Sequence, residues 1–350
     1  MSHPSRHSAH RHHPLFRQRM HKALTAGMMM ALVAVPTAAA NPPSDPDAIP
    51  EHATVVERSA HPLGTDCEPL YVLATRGSNE PPQDRAVIYE DPVYPADTET
   101  RGMGPLLNDF YDTFVREQQN RGAAEPAGFG VVYPAVRVGD GWFRYPANYR
   151  ESIEEGAQRL RETLQEINAL CAGKHTDVVV TGISQGADVI NRALSDEVAA
   201  GADDFRNVSA VALFGDPSRS SSQPSVKVGA THGDGFFRMF PIGDGAQDEW
   251  MRERPGSVIS FCIPGDNVCD PLEHPQDSDN AAGIVGVSPF ARHESYHTEN
   301  ITLECLTSSV SAGTWLSAKE CAVKMVADKI GHGDQGSTLP ETMLARSADS

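Results

Sequence analysis

Positive charge is scarce in this sequence. The chain carries 29 Lys plus Arg against 47 Asp plus Glu, a formal net charge of -18. A surface of that sign repels phosphate backbones, which excludes nucleic acid as the natural partner. Long apolar runs are missing too: none approaches the roughly 20 uninterrupted residues that carry a helix across a bilayer, so a polytopic membrane protein is excluded. The Cys-x-x-Cys pairs and spaced His ligands of the usual zinc site are also absent. What is present argues against wholesale disorder, because hydrophobic residues make up 39% of the chain and recur periodically. That is enough apolar material for one large domain or two modest ones.

The few basic residues are unevenly placed. Residues 1–40 contain Arg6, Arg11, Arg17, Arg19 and Lys22 and no acid, so removing them leaves 24 basic groups against 47 acidic ones. Lys22 leads into the apolar run Ala23–Pro36, and Ala38, Ala39 and Ala40 put small side chains where a signal peptidase reads. Residues 1–40 are therefore expected to be a secretory signal peptide cut after Ala40. An N-terminal anchor needs a longer apolar core. The leader histidines (His3, His7, His10, His12, His13 and His21) carry no catalytic weight, and translation starting at Met20 is an open alternative.

Export changes how the cysteines read. Cys67, Cys171, Cys262, Cys269, Cys305 and Cys321 all follow the leader, and an even count in an oxidising compartment predicts three disulfides. Cys262 and Cys269 are near enough to staple a short loop, and Cys305 with Cys321 to close another. Cys67 and Cys171 then remain, although six cysteines allow many other pairings.

Residues 41–60, rich in Pro, Asp, Ala and Glu without a period, read as a flexible lead-in. A single domain is expected over 61–331, with a flexible polar tail at 332–350. Within it, Leu70–Ala74, Gly130–Tyr133, Val178–Thr181, Val208–Phe214 and Val258–Phe261 are strand candidates too apolar to leave one face in water. Helical patterns separate them: Pro105–Arg121, Tyr149–Leu170, a helix starting just after Ser184, and one around Trp315–Ile330. Strands buried on both faces and alternating with helices predict a three-layer α/β/α sandwich with a central, mostly parallel five-stranded sheet.

The segment Val178-Val-Val-Thr-Gly-Ile-Ser-Gln-Gly186 places Ser184 between two glycines, after a buried strand and before a helix. That is the context of a nucleophile elbow, whose sharp turn lifts the hydroxyl above the sheet at a helix N-terminus. The backbone N–H of Gln185 would there face a developing oxyanion; a plain glycine-rich turn is the bland alternative. A serine hydroxyl needs a histidine to take its proton and a carboxylate to hold that histidine, in the chain order Ser, acid, His. Asp266, in the Cys262–Cys269 segment after the last strand, is the best acid, ahead of Asp270, Asp277 and Asp279. His274, His293 and His297 follow it. The residues favour His293, with His297 open as a close alternative.

Taken together, the chain resembles the cutinase family of secreted serine esterases. The resemblance spans roughly Cys67–Tyr296. It rests on Cys67, Thr75-Arg-Gly-Ser-Asn-Glu80, the Tyr-Pro pair within 131–135, Gly182–Gly186, Phe214-Gly-Asp-Pro217, Cys262–Cys269 and His293-Glu-Ser-Tyr296. It implies an α/β-hydrolase fold, Ser184 as nucleophile, Asp266 as orienting acid and His293 rather than His297 as base. It further implies Ser78 and Gln185 as oxyanion-hole residues, and Cys67–Cys171 and Cys262–Cys269 as disulfides. Arg76 and Glu80 read either as a pair bracing the Ser78 loop or as exposed charges.

Several features depart from compact family members, among them a connection from Asp266 to His293 stretched by an acidic, glycine-containing segment. The long stretch 81–102 reads as a lid or as a decorated surface loop. Asp188 stands where a small residue is usual, at a helix N-terminus that favours its charge. The loop 218–256 carries Phe236, Phe237, Met239 and Phe240, which suit either substrate contact or packing.

The expected activity is hydrolysis of carboxylic esters, with an acyl or lipid ester as partner, no metal or organic cofactor, and export to the medium or to the cell envelope. Acyl transfer by the same triad and a non-catalytic envelope protein on the same scaffold are the alternatives. N-terminal sequencing of the exported protein is expected to begin at Asn41; an intact leader would contradict cleavage.

Overall fold

The computed structural model describes residues 53–54, 63–78, 80, 86–88, 93–94, 100–137, 145–230, 232–239, 245–271 and 291–331. The expected leader (1–40), most of the lead-in, most of the 81–102 stretch and the tail from 332 onward lie outside them.

Strand β1, Leu70–Thr75, is buried along its whole length. Its side chains alternate between two separate cores, as a strand covered on both faces requires. Leu70, Val72 and Ala74 join Leu106, Leu107, Phe110 and Phe114 on one side. Tyr71 and Leu73 join Leu160, Leu164 and Ile167 on the other. The remaining strands are β2 (Ala127–Gly130), β3 (Asp177–Ile183), β4 (Val208–Phe214), β5 (Val226–Gly229) and β6 (Val258–Cys262). They form one six-stranded sheet in the order β2-β1-β3-β4-β6-β5, with every neighbouring pair parallel.

Helices α1 (Pro105–Asn120) and α5 (Ala318–Gly331) supply the first core; α2 (Tyr145–Leu170), α3 (Gln185–Ala200) and α4 (Gln247–Glu253) supply the second. Local signals set these helices. Proline opens the first turn of α1, where its missing N–H costs nothing, and α3 ends on Gly201 in the left-handed region, the common glycine stop. The apolar stripe of α2, with Ala157, Leu160, Leu164 and Ile167 all buried, recurs at steps of three and four. Each such buried leucine or isoleucine contributes about 1.5–3 kcal/mol of transfer free energy.

The three-layer α/β/α architecture is as the alternating pattern predicts, with one strand more. The added strand, Val226–Gly229, lies in the segment read as a loop; it is four residues long and only Val228 is buried, so it lacks an apolar run. The edge strand lies at Ala127–Gly130 rather than at Gly130–Tyr133. A side chain at Gly128 would strike the Tyr111 ring, and one at Gly130 would strike the Gly102 carbonyl, so glycine replaces the β-branched residues that advertise a strand. At the C-terminus Trp315 belongs to a strand, not a helix. β7 (Thr302–Glu304) and β8 (Trp315–Ser317) form an antiparallel hairpin, and α5 begins just after it. A further small sheet pairs Ala86–Ile88 with Ala53–Thr54 and Val93–Tyr94. Among the described residues no helix is long and apolar enough to cross a membrane.

All three disulfides form: Cys67–Cys171, Cys262–Cys269 and Cys305–Cys321. The last ties the hairpin to α5, which also meets α1 through Lys319–Asp109, Lys324–Glu117 and Arg121–Asp328 at 2.6, 2.6 and 2.9 Å. These ion pairs are partly exposed and contribute little individually, so the disulfide and the apolar face hold the helix. Replacing both Cys305 and Cys321 by serine is expected to cost about 2–4 kcal/mol of unfolding free energy, measured by urea denaturation, with the far-ultraviolet dichroism of the folded state retained. An unchanged midpoint would contradict this.

Candidate active site

β3 ends at Ile183, and the chain turns through Ser184 into α3. Ser184 has φ 53° and ψ -120°, a backbone conformation that a residue with a Cβ rarely adopts and that costs roughly 1–3 kcal/mol. The flanking glycines permit it. A Cβ on Gly186 would stand 1.9 Å from the Thr75 carbonyl oxygen, and one on Gly182 would stand 2.5 Å from Thr75 Oγ1. Two bonds clamp the turn from either side: Ser184 N–H donates to the Phe214 carbonyl at 2.9 Å, and Thr75 Oγ1 donates to the Gly186 carbonyl at 2.9 Å. Ser184 is partly exposed above the sheet, whereas the residues after it are buried.

Asp266 and His293 meet at the same rim. Asp266, fully buried, lies in the loop after β6 that the Cys262–Cys269 disulfide closes. His293 opens a short 3-10 turn, His293–Ser295. Its Nδ1 stands 3.0 and 3.1 Å from the two carboxylate oxygens of Asp266. In the neutral ring Nδ1–H donates to the carboxylate, and Nε2, buried and without a hydrogen-bond partner among the described residues, is the acceptor. Gly215, at the end of β4, makes room for this pair: with φ +54°, a Cβ there would be 2.6 Å from His293 Cε1 and 3.2 Å from Asp266 Oδ2. The residue before it, Phe214, holds the Ser184 amide. The serine turn and the imidazole thus converge on the two residues Phe214 and Gly215.

Asp266 is held by more than the imidazole. Tyr296 O–H donates to Oδ2 at 2.7 Å, and Val268 N–H donates to Oδ1 at 2.8 Å. The Tyr296 oxygen in turn accepts from Ile263 N–H at 3.1 Å. Burial alone disfavours charge on Asp266, but His293, Tyr296 and Val268 together outweigh it and hold the carboxyl below its usual range. Burial and the adjacent Asp266 push the Tyr296 phenol well above its usual value, so it remains a donor. In the sequence Tyr296 stands only as a motif residue three positions after His293.

The Ser78 loop arrives from the end of β1 beside the elbow. Gln185 Nε2 donates to Ser78 Oγ at 3.0 Å. The backbone N–H of Gln185 is the first of α3 and has no partner within the helix. The loop is braced by Arg76, which is fully buried, so it is not an exposed charge. Its guanidinium donates to the carbonyls of Val131 at 3.0 Å, Tyr133, and Glu80 at 3.2 Å and lies over the Tyr133 ring. The Glu80 carboxylate caps the Gly77 N–H. The brace therefore includes the Glu80 backbone carbonyl as well as its carboxylate.

His297 is exposed, whereas His293 is partly buried against Asp266. Asp270 is buried and accepts from the Gly265 N–H at 3.2 Å, inside the acid loop. His274, Asp277 and Asp279 lie outside the described residues. Asp188 does more than favour the helix dipole: it is buried, and Tyr149 O–H donates to its Oδ2 at 2.6 Å. Phe237 packs on the Tyr149 ring at 5.1 Å, and Phe236 is 42% exposed. No cluster of metal-ligating side chains occurs among the described residues.

A parallel sheet, a strand–turn–helix serine and an Asp–His pair at one rim have the layout of an α/β hydrolase. The family model for cutinases matches residues 97–279, just over half of the chain, and the chain belongs to the cutinase family. That match contains Ser184, Gln185 and Asp266, begins after Ser78 and ends before His293. No curated protein matches the chain. Among solved structures it is similar to a cutinase-like protein from Cryptococcus sp., at 18% identity over 76% of this chain and 96% of that one, with a TM-score of 0.45. An acetyl xylan esterase follows at 17% identity, 76% and 100% coverage, and a TM-score of 0.44. The Trichoderma reesei cutinase in complex with a C11Y4 phosphonate inhibitor shows 19%, 75% and 79%, and 0.37.

Because the folded-state pKa of Asp266 is depressed, its contribution to stability is present above the unfolded carboxyl value of about 3.9 and is lost as pH falls through the folded value. The stability difference between the wild type and Asp266→Asn, measured by urea unfolding, is therefore expected to shrink as pH drops below about 4. A difference constant across that range would contradict the bonding described for this carboxylate.

Proposed function

We propose that the protein is an exported serine esterase that hydrolyses carboxylic esters through an acyl-enzyme, with Ser184 as nucleophile, His293 as general base and acid, and Asp266 as the orienting carboxylate. The observation that carries this proposal is the Nε2 of His293, which has no hydrogen-bond partner among the described residues and is oriented by the Asp266 bond on Nδ1, at the same strand ends that hold the Ser184 turn.

In the first half-reaction Nε2 takes the Ser184 proton as Oγ attacks the ester carbonyl, and the imidazolium formed is stabilised by Asp266, which stays ionised. The tetrahedral oxyanion accepts from the Gln185 backbone N–H and from Ser78. His293 then returns the proton to the departing alkoxide. In the second half-reaction a water loses its proton to Nε2 and attacks the acyl carbon; as the bond to Oγ breaks, Nε2 returns that proton to Ser184 and the acid leaves. The hydroxyl and Nε2 make no hydrogen bond to each other in the free protein; such contacts commonly tighten only with substrate bound. An ester substrate follows from the family. Acyl or lipid esters, envelope glycolipids among them, are the proposed class. Three disulfides and family membership support an extracellular site of action, in the medium or at the envelope.

Labelling by a fluorophosphonate probe tests this. The wild type should be modified at Ser184 and should turn over p-nitrophenyl esters. Ser184→Ala should lose labelling and at least about 10⁴-fold of the turnover. A wild type that neither labels nor hydrolyses short or long acyl esters would favour a non-catalytic scaffold instead.

A further inference from the structure

The side chain of Gln185 lies fully buried between three groups contributed by distant parts of the chain. Its Nε2 is 3.0 Å from Ser78 Oγ and 3.4 Å from the Val136 carbonyl oxygen, and its Oε1 is 2.8 Å from Ser152 Oγ. Ser152 belongs to α2 and is also fully buried.

The chemistry of these groups permits one arrangement of protons. A carbonyl oxygen only accepts, so the amide atom facing Val136 must be the NH₂. An N–H only donates, so Ser78 Oγ must be the acceptor in its contact with Nε2. The amide oxygen only accepts, so Ser152 must direct its O–H at Oε1. Buried in α2, Ser152 would otherwise turn that hydrogen to the preceding turn of its own helix, as helical serines do. The consequence falls on Ser78: one of its lone pairs is occupied by Gln185, and its hydroxyl hydrogen is left to point elsewhere. With the amide reversed, Oε1 would face Ser78, draw that hydrogen inward and leave the Val136 carbonyl against another acceptor.

We infer that Ser152 is a positioning residue. By donating to Gln185 Oε1 it holds that amide, together with the Val136 carbonyl, in the orientation that keeps the Ser78 hydroxyl hydrogen free to donate to the oxyanion. The inference rests on the esterase reading above and adds to it a fully buried residue of α2 that acts through Gln185.

The test uses the mature protein with p-nitrophenyl acetate and compares Ser78→Ala, Ser152→Ala, the double variant, Ser152→Thr and Gln185→Glu. Loss of one oxyanion donor in Ser78→Ala should lower kcat by about 10²-fold. Ser152→Ala should lower kcat by about tenfold with KM unchanged, the size of one misdirected hydrogen bond. Ser152→Thr, which retains the hydroxyl, should recover most of that loss. The double variant should match Ser78→Ala, because Ser152 acts only through Ser78. Gln185→Glu keeps the backbone N–H but presents only acceptors to Ser78, so it should fall toward Ser78→Ala; it decides the question if Ser152→Ala does not fold.

A wild-type kcat in Ser152→Ala, losses that multiply in the double variant, or full activity in Gln185→Glu would overturn the inference. Fluorophosphonate labelling of the wild type separates the two levels. If Ser184 labels and Ser152→Ala is silent, only the role of Ser152 fails; if Ser184 never labels, the esterase reading itself fails.

Discussion

The arrangement depends on the backbone at the end of β4. The Phe214 carbonyl receives the Ser184 amide, and the next residue, Gly215, turns with positive φ and offers no side chain, so the His293 ring and the Asp266 carboxylate occupy that space. A parallel sheet brings this about, since β3, β4 and β6 run in the same direction and their C-terminal ends share one rim. Three side chains spread over 110 positions of sequence are brought together by main-chain register. Any side chain at position 215 would have to displace the imidazole.

Around that pivot the protein spends its buried polar groups on orientation. Asp266 receives two donors besides His293; Arg76 is sunk among backbone carbonyls to hold the Ser78 loop; Asp188 is fixed by Tyr149. Buried charges and hydroxyls are costly unless fully bonded, so their concentration at one rim contrasts with the apolar cores on both faces of the sheet. The Cys262–Cys269 ring adds covalent restraint to the acid loop, and the Cys305–Cys321 link does the same for the C-terminal layer, where ion pairs alone would be weak.

Much of this was legible in the sequence where hydrophobic period and glycine spacing speak directly. The apolar stripe of α2, the strand preceding Ser184 and the Gly-x-Ser-x-Gly turn each correspond to a local physical requirement, and the structure meets each one. The edge strand was displaced because Gly128 and Gly130 serve close packing instead of propensity. The sixth strand escaped because a short edge strand with one buried residue has no apolar signature. The roles of Tyr296 and Ser152 were illegible for a different reason. Both depend on proton direction across contacts between residues 30 or more apart in the chain, and no local pattern records a direction. Arg76 likewise read as a surface charge or a simple pair until its carbonyl partners were in place.

The most direct test is a crystal structure of the protein after reaction with an alkyl phosphonate ester. Phosphorus should be bonded to Ser184 Oγ, with the phosphoryl oxygen within hydrogen-bond distance of the Gln185 N–H and Ser78 Oγ, and with His293 Nε2 facing the serine oxygen while Nδ1 keeps Asp266. Phosphorus on another side chain, or an imidazole turned away from the adduct with its bond to Asp266 broken, would contradict the convergence of serine and histidine at the end of β4.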